Sequence, residues 1–253
     1  MSGTPVPEDI EISIHNFVDY FSCEIEKIND LFVTIKGQID HSGSHILYQK
    51  ILYCIILDAL SRAAYPEISG TRERFIKLIE EFSEWKYFNR VSWFQLMLDL
   101  EARKIFNGKL YAECKRHVNS WAAGRIIRPD CDDLHDDVLN LATKEQREIV
   151  CNNTYSALLW KYRNTLVHEF REPGYGIETG DDGPEPYYHS MTTAGATKTS
   201  WELVFPVALF RNLCEQGLGN LAERLRETKR SPHASFDYGS YWRGRPRRPA
   251  GAR

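Results

Sequence analysis

Helical periodicity dominates the chain from residue 10 to residue 171. In the first predicted helix, apolar residues recur at intervals of three and four: Phe17, Tyr20, Phe21, Ile25, Ile28 and Phe32. This spacing places them on one face of an α-helix. Capping and stop signals predict helices over residues 13–35, 46–64, 72–84, 92–106 and 110–121. The second is apolar on most sides, which indicates a buried, central helix. The pattern therefore predicts an all-α, multi-helix bundle.

The later part of the chain completes a single domain over residues 10–228. Residues 124–140, with Pro129 and five aspartates, are expected to form a solvated loop. Thr143 opens the longest predicted helix, 143–171, which ends at Glu172-Pro173-Gly174. Aromatic and β-branched residues then predict a small β-hairpin insertion at 187–205. A last helix follows over residues 207–228.

The distribution of charge limits the classes of partner. The net charge is −3, and residues 229–253 carry seven Lys or Arg against one acid, which leaves −9 for residues 1–228. An acidic body argues against a reader of duplex DNA, and the basic stretch 229–253 is predicted to be a disordered tail. The longest apolar run, residues 51–57, is too short to span a membrane. We therefore expect a cytoplasmic protein whose six cysteines are reduced.

The most informative segment lies near the end of the predicted 143–171 helix. Its inward face consists of Tyr155, Leu159, Tyr162, Leu166 and Phe170. Asn164 and His168, four residues apart, project from nearly the opposite side, and Arg163 lies between the two faces. Trp160 and Val167 add apolar surface to the outer side, which indicates contact with a second partner.

The pattern Arg163-Asn164-x-x-x-His168 resembles the signature of the HEPN superfamily. The resemblance covers this motif and the helical character of most of the chain. It implies a metal-independent endoribonuclease with a dimeric site, acting in a toxin, phage-defence or stress-response setting, with a regulatory or antitoxin protein as a further partner. Some toxins of this family carry, two residues after the histidine, a tyrosine that a partner nucleotidyltransferase modifies. Here that position is Phe170, so this form of control does not carry over.

The residue types suit RNA cleavage by attack of the internal 2′-hydroxyl. We assign His168 as the general acid or base, Arg163 as the stabiliser of the transition state, and Asn164 as the residue that orients the phosphate or His168. Arg163 and His168 lie about 140° apart on one helix, so we expect two copies to complete one site, with Trp160 and Val167 in the interface. Lys161 and Arg171 flank the motif and are candidates for RNA-phosphate contacts.

Three alternatives remain open at this point. The first is that Arg163 pairs with a surface acid, His168 caps the C-terminal end of the helix and Asn164 is incidental. The second is a non-catalytic HEPN module that binds RNA or a nucleotide, and the third is a helical scaffold for protein partners. A paired approach of two motifs would favour the enzyme, whereas a motif buried within one protomer would favour the scaffold.

A structural zinc site is a weaker candidate. Cys114, His117, Cys131 and His135 have zinc-type side chains and form two pairs. However, the first pair lies on an amphipathic helix where Cys114 is expected to be buried, and the second lies among aspartates. We therefore expect no metal and no cofactor.

Overall fold

The computed structural model of the chain describes residues 9–35, 44–174, 176, 178, 183–191 and 200–235. The predicted all-α bundle with a small hairpin is confirmed. In these residues the helices are α1 (Ile10–Ile35), α2 (Ser44–Ala64), α3 (Thr71–Phe82), α4 (Trp93–Ala102), α5 (Lys109–Asn119), α6 (His135–Leu139), α7 (Arg147–Cys151), α8 (Tyr155–Glu169) and α9 (Val207–Thr228).

The second helix, α2, forms the centre of the bundle. It packs against α1, α3, α8 and α9. Its most buried apolar side chains, Cys54, Leu57 and Leu60, have no exposed surface. The prediction of a central helix is therefore confirmed, although Ile55 on its outer side is 50% exposed.

The helix predicted over residues 143–171 is wrong as a continuous element. A short 3-10 turn over Lys144–Gln146 leads into α7, and the chain breaks before α8 begins. At the break the Asn153 amide donates to Asp99 Oδ2 at 2.7 Å, and the Asn153 carbonyl accepts the Ser92 N–H at 3.0 Å. The Thr154 hydroxyl then accepts the Ala157 N–H and caps α8. Distant partners replace the intrahelical hydrogen bonds, so apolar periodicity could not reveal the interruption.

Among the residues that the structure describes, four short strands form two antiparallel pairs: β1 (Arg90–Val91) with β2 (Asp133–Leu134), and β3 (Tyr187–Met191) with β4 (Ser200–Val204). The second pair confirms the hairpin predicted at 187–205, whose residues 192–199 lie outside the described part. The first pair was not predicted, because two-residue strands leave no alternation to detect.

The expected solvated loop over residues 124–140 is wrong, because the range contains β2 and α6 and because Asp132 has no exposed surface. Its carboxylate accepts the Trp93 N–H at 3.1 Å and the hydroxyls of Tyr155 and Tyr188 at 2.7 and 2.6 Å. Burial raises the pKa of Asp132 to about 6, although these three hydrogen bonds act in the opposite direction. The Asp132 side chain therefore holds the segment between α5 and α6 to the core.

The predicted disordered tail does not begin at residue 229. The Arg230 guanidinium donates to the carbonyls of Ala63 and Ala64 at 3.1 and 2.6 Å, where it caps the C-terminal end of α2. Pro232–Ser235 form a 3-10 turn that contacts α1 and α2. The basic composition had suggested solvated arginines, but Arg230 binds helix carbonyls instead. Residues 236–253 lie outside the described part of the chain.

None of the helices in the described ranges is both long and apolar enough to cross a bilayer.

Candidate functional site

The motif lies on α8, which is anchored by its inward face. Tyr155, Leu159 and Leu166 have no exposed surface, and Tyr162 is 4% exposed, as the sequence predicted. Phe170 is different, because the helix ends at Glu169 and Phe170 takes a left-handed conformation with φ 55°. Its ring is therefore 58% exposed and contacts the Tyr48 ring, with centroids 5.7 Å apart. The placement of Phe170 on the buried face was wrong.

Arg163 is the centre of the candidate site and is 8% exposed. Its Nε donates to Asp58 Oδ2 at 2.9 Å, and its Nη2 makes a second, shorter contact with the same oxygen. Its Nη1 lies 3.0 Å from Asn164 Oδ1 and 3.2 Å from His168 Nε2. One guanidinium thus contacts an acid on α2 and both of the other motif residues.

Arg163 and His168 meet within one copy, although their separation of about 140° around the helix led us to expect that two copies complete one site. The Cα–Cβ bonds of the two residues leave α8 in different directions. The arginine side chain is nevertheless long enough to bring Nη1 to His168 Nε2. The geometric argument for a site that two copies complete therefore loses its basis. Dimerisation itself stays a prediction.

Asp58 was not identified from the sequence. Burial raises its pKa, while the hydrogen bond and the positive charge of Arg163 act in the opposite direction. Its Oδ1 is buried and has no hydrogen-bond partner among the described residues. The sequence did contain one indication of its role, because Asp58 is an acid within the largely apolar helix α2. An ionised group in such a place requires a partner.

The motif is only half enclosed by the protomer. Arg163 is buried, Asn164 is half-buried and His168 is exposed. The scaffold alternative expected the whole motif to be buried, and the exposure of His168 does not fit it. The first alternative is right that Arg163 pairs with an acid, but that acid is the partly buried Asp58.

The residues proposed for RNA contacts take other partners. Lys161 Nζ lies 3.6 Å from Asp99 Oδ2, and Arg171 Nη2 lies 2.5 Å from Glu169 Oε2. Both basic side chains are about half exposed. They flank the motif as predicted, but each is paired with an acid that is not part of the motif.

The outward apolar patch on α8 is partly covered within the chain. The Trp160 ring packs against Phe75 of α3, with centroids 5.4 Å apart, and the Arg163 guanidinium lies 5.0 Å from its centre. Trp160 and Val167 are both half-buried against the core. The prediction that they face away from the domain is wrong for Trp160, because α3 occupies that side.

The four zinc-type side chains do not form a ligand group. Cys114 is buried in the core, His117 stacks on Trp93 at 4.7 Å, and His135 Nδ1 lies 3.2 Å from Asp136 Oδ1. Burial lowers the pKa of His117. Cys131 is half-buried, and burial raises its pKa. Within the described residues, no three or more His, Cys, Asp or Glu side chains are grouped so as to hold a metal ion.

The chain has no significant match to a protein-family model, a curated protein or a solved structure. Its function must therefore be argued from the geometry of its own residues.

Proposed function

We propose that this protein is a metal-independent endoribonuclease that cleaves single-stranded or loop RNA by attack of the internal 2′-hydroxyl. The observation that carries the proposal is the meeting of Arg163 Nη1 with Asn164 Oδ1 at 3.0 Å and with His168 Nε2 at 3.2 Å, where His168 is exposed. The reaction needs proton transfer and a positive group at one phosphate, and an imidazole and a guanidinium can supply these, with the amide orienting them.

Arg163 is suited to binding a phosphate because its two edges have different partners. Asp58 holds the Nε and Nη2 edge, which fixes the direction of the guanidinium. Among the described residues, the Nη1 edge contacts the acceptor atoms Asn164 Oδ1 and His168 Nε2, neither of which belongs to an acid. A phosphate oxygen is a stronger, charged acceptor, so it would replace one of these contacts and take up a charge-assisted hydrogen bond.

His168 is suited to proton transfer. Because an arginine can only donate, His168 Nε2 is the acceptor of the 3.2 Å contact, and the proton of the neutral ring is on Nδ1. When a phosphate takes Nη1, the Nε2 lone pair becomes free to accept the proton of the 2′-hydroxyl. The leaving 5′-oxygen needs a proton from a second donor, which a second copy of His168 would supply in the homodimer implied by the HEPN resemblance.

The resemblance also implies the setting. A cytoplasmic ribonuclease with a toxin, phage-defence or stress-response role requires restraint, for which a regulatory or antitoxin protein is the expected partner. These elements belong to the proposal together with the RNA substrate and the homodimer.

A non-catalytic module that binds RNA is the second candidate. It is favoured by the Asp58–Arg163 pair, because an arginine whose charge is balanced by a partly buried acid stabilises the added negative charge of a transition state less strongly. The two candidates predict different outcomes of one experiment.

The test uses purified protein and single-stranded RNA in excess EDTA, with wild type beside His168→Ala. We expect products with a 2′,3′-cyclic phosphate and a 5′-hydroxyl, and a loss of rate of about 10²-fold or more in the variant. The matched control is His15→Ala, because His15 is an exposed histidine on α1 that pairs with Asp19 at 3.1 Å. Its rate should equal that of wild type.

Strict dependence on Mg²⁺, cleavage of DNA, or full activity of His168→Ala would each contradict the ribonuclease. Binding of intact RNA without cleavage would establish the non-catalytic module instead. Sedimentation of the wild type at micromolar concentrations tests the homodimer separately from the chemistry.

A further inference from the structure

A pocket of about 520 Å³ lies between α4, α5 and the start of β4, away from Arg163. Three aromatic side chains line it: Phe94, Trp121 and Trp201. The two tryptophans are half-buried. This volume is in the usual range for a small-molecule site, and partly exposed tryptophan rings offer flat apolar surface to a ligand.

The rings are held in fixed positions. The Trp121 ring lies 4.6 Å from Tyr188 and meets Trp201 edge-to-face, with centroids 5.1 Å apart. Tyr188 is fully buried, and its hydroxyl donates to Asp132 Oδ2 at 2.6 Å. The aromatic wall is therefore anchored to the core and needs little reorganisation to accept a planar ring.

The rim of the pocket is electrically balanced. Lys115 Nζ lies 3.0 Å from Glu101 Oε1, which also accepts the Tyr111 hydroxyl at 2.8 Å. Paired charges of opposite sign do not favour a phosphate, but they offer both acceptor and donor groups to a neutral, polar ring. Asn119 and Ser200 add hydrogen-bonding groups to the lining.

The pocket continues toward the motif helix. Leu98, which is 40% exposed, also lines a second pocket of about 400 Å³ that reaches Lys161 and Thr165 on α8. Lys161 is seven residues before His168, so the two lie within about 20° on the helix and about 10 Å apart along its axis. A single strand of RNA that passes His168 would therefore next meet Lys161 and Thr165 and, on the other side of Leu98, the aromatic pocket.

We propose that the aromatic pocket binds a nucleobase of the single-stranded RNA substrate, by stacking on Trp121 or Trp201. The inference rests on the proposed function, since the second pocket reaches Lys161 and Thr165 on the helix that carries His168. The flat rings, the neutral rim and the continuity with α8 together favour a base over a phosphate. A stacked base contributes a sequence-tolerant part of the RNA affinity.

The experiment measures the affinity for a single-stranded RNA of about 12 nucleotides in a His168→Ala background, where the RNA stays intact. Trp121→Leu and Trp201→Leu should each weaken binding about 10-fold, within the range for loss of one stacked base. Leu98→Glu should weaken it similarly without removing a core side chain. Phe106→Leu is the matched control, because Phe106 is an exposed aromatic that contacts Tyr111 and is not among the lining residues.

A second readout locates the base directly. The same RNA with 5-iodouracil should form photo-crosslinks at Trp121 or Trp201, and peptide mass spectrometry identifies the site. Unchanged affinity in all three pocket variants, crosslinks confined to other residues, or no RNA binding by the parent protein would overturn the proposal.

These outcomes are distinguishable from failure of the proposed function. RNA that binds and crosslinks in the pocket but is never cleaved by wild type would contradict the ribonuclease and retain the base site. Cleavage that depends on His168, with affinity unchanged in the pocket variants, would retain the ribonuclease and overturn the base site. Binding of an aromatic peptide at Trp121 in the absence of nucleotide binding would also overturn it.

Discussion

Two polar clusters link α2 to the segment that contains the motif, and they differ in how they are closed. At the first, Lys50 Nζ lies 2.7 Å from Glu172 Oε2, 2.6 Å from Glu178 Oε1 and 3.1 Å from the Tyr162 hydroxyl. At the second, eight residues further along α2, Asp58 holds Arg163. Each cluster contains a buried cation.

The Lys50 cluster is closed on all sides, since its lysine is fully buried and its two glutamates are at most 13% exposed. Glu178 Oε1 also accepts the Val207 N–H, so the same cluster caps α9. The Arg163 cluster ends instead in a half-buried asparagine and an exposed histidine. A cation satisfied by acids stabilises the fold, whereas a cation with an edge that faces neutral, accessible groups is able to bind an anion.

The largest expected effect breaks the closed cluster. Lys50→Met should lower the free energy of unfolding by about 3–5 kcal/mol, because it leaves two buried carboxylates without their cation. Urea denaturation measures the change. The matched control is the triple variant Lys50→Met, Glu172→Gln, Glu178→Gln, which removes the charges together and should recover most of the loss. A loss below about 1 kcal/mol in the single variant would contradict this account.

Asp132 differs from the acids of both clusters, because it is buried and its hydrogen-bond partners are an N–H group and two tyrosine hydroxyls, none of them charged. Its pKa is raised by burial to about 6 in the folded protein, so folding binds a proton over this range. Its contribution to stability is complete below about pH 4, the ordinary titration range of aspartate, and is lost as the pH rises through about 6, with a total near 3 kcal/mol.

The measurement is the difference in unfolding free energy between wild type and Asp132→Asn at several pH values from about 4 to about 7. Other carboxyl groups titrate in both proteins and cancel. A difference that does not change with pH would show that Asp132 has an ordinary pKa.

A smaller effect is expected at the open cluster. Asn164→Ala should lower the rate of RNA cleavage about tenfold, because Arg163 Nη1 loses the amide that helps to orient it, with little change in stability. Asn152→Ala is the matched control, since the Asn152 amide also accepts from an arginine, Arg72, at 2.7 Å outside the motif. Equal rates for the two variants would contradict a role for Asn164.

The smallest effect concerns charge outside both clusters. Deletion of residues 236–253 removes five arginines and one aspartate and keeps the anchoring contacts of Arg230. RNA affinity should fall a few-fold at low salt and be nearly unchanged at high salt, because such contacts release counterions. A loss of affinity that is independent of salt would indicate specific contacts in the tail.

Local patterns in the sequence predicted most of the fold but only part of the candidate site. The bounds of α9 and the position of the hairpin followed from periodicity and turn residues, and Arg163, Asn164 and His168 followed from a spacing within one helix. Asp58 is 105 residues from Arg163, and Lys50 is 122 residues from Glu172. Such pairs depend on how helices pack, which no local pattern records.

The same limit explains the errors on α8. A helical wheel gives the direction of each Cα–Cβ bond, so it placed Arg163 and His168 apart and Trp160 outward. It contains neither the reach of a guanidinium nor the position of α3. The break at Asn153 likewise depends on Ser92 and Asp99, which lie far away in sequence.

Because Arg230 caps the C-terminal end of α2, this helix is completed only late in translation. The central helix α2 leaves the ribosome before α9 and Arg230, which cover it and complete its C-terminal end. A nascent chain therefore holds α2, and Asp58 on it, with one side uncovered until α9 and Arg230 have been translated. The proposed ribonuclease would in this way have an incompletely covered central helix while its own messenger RNA is still being translated.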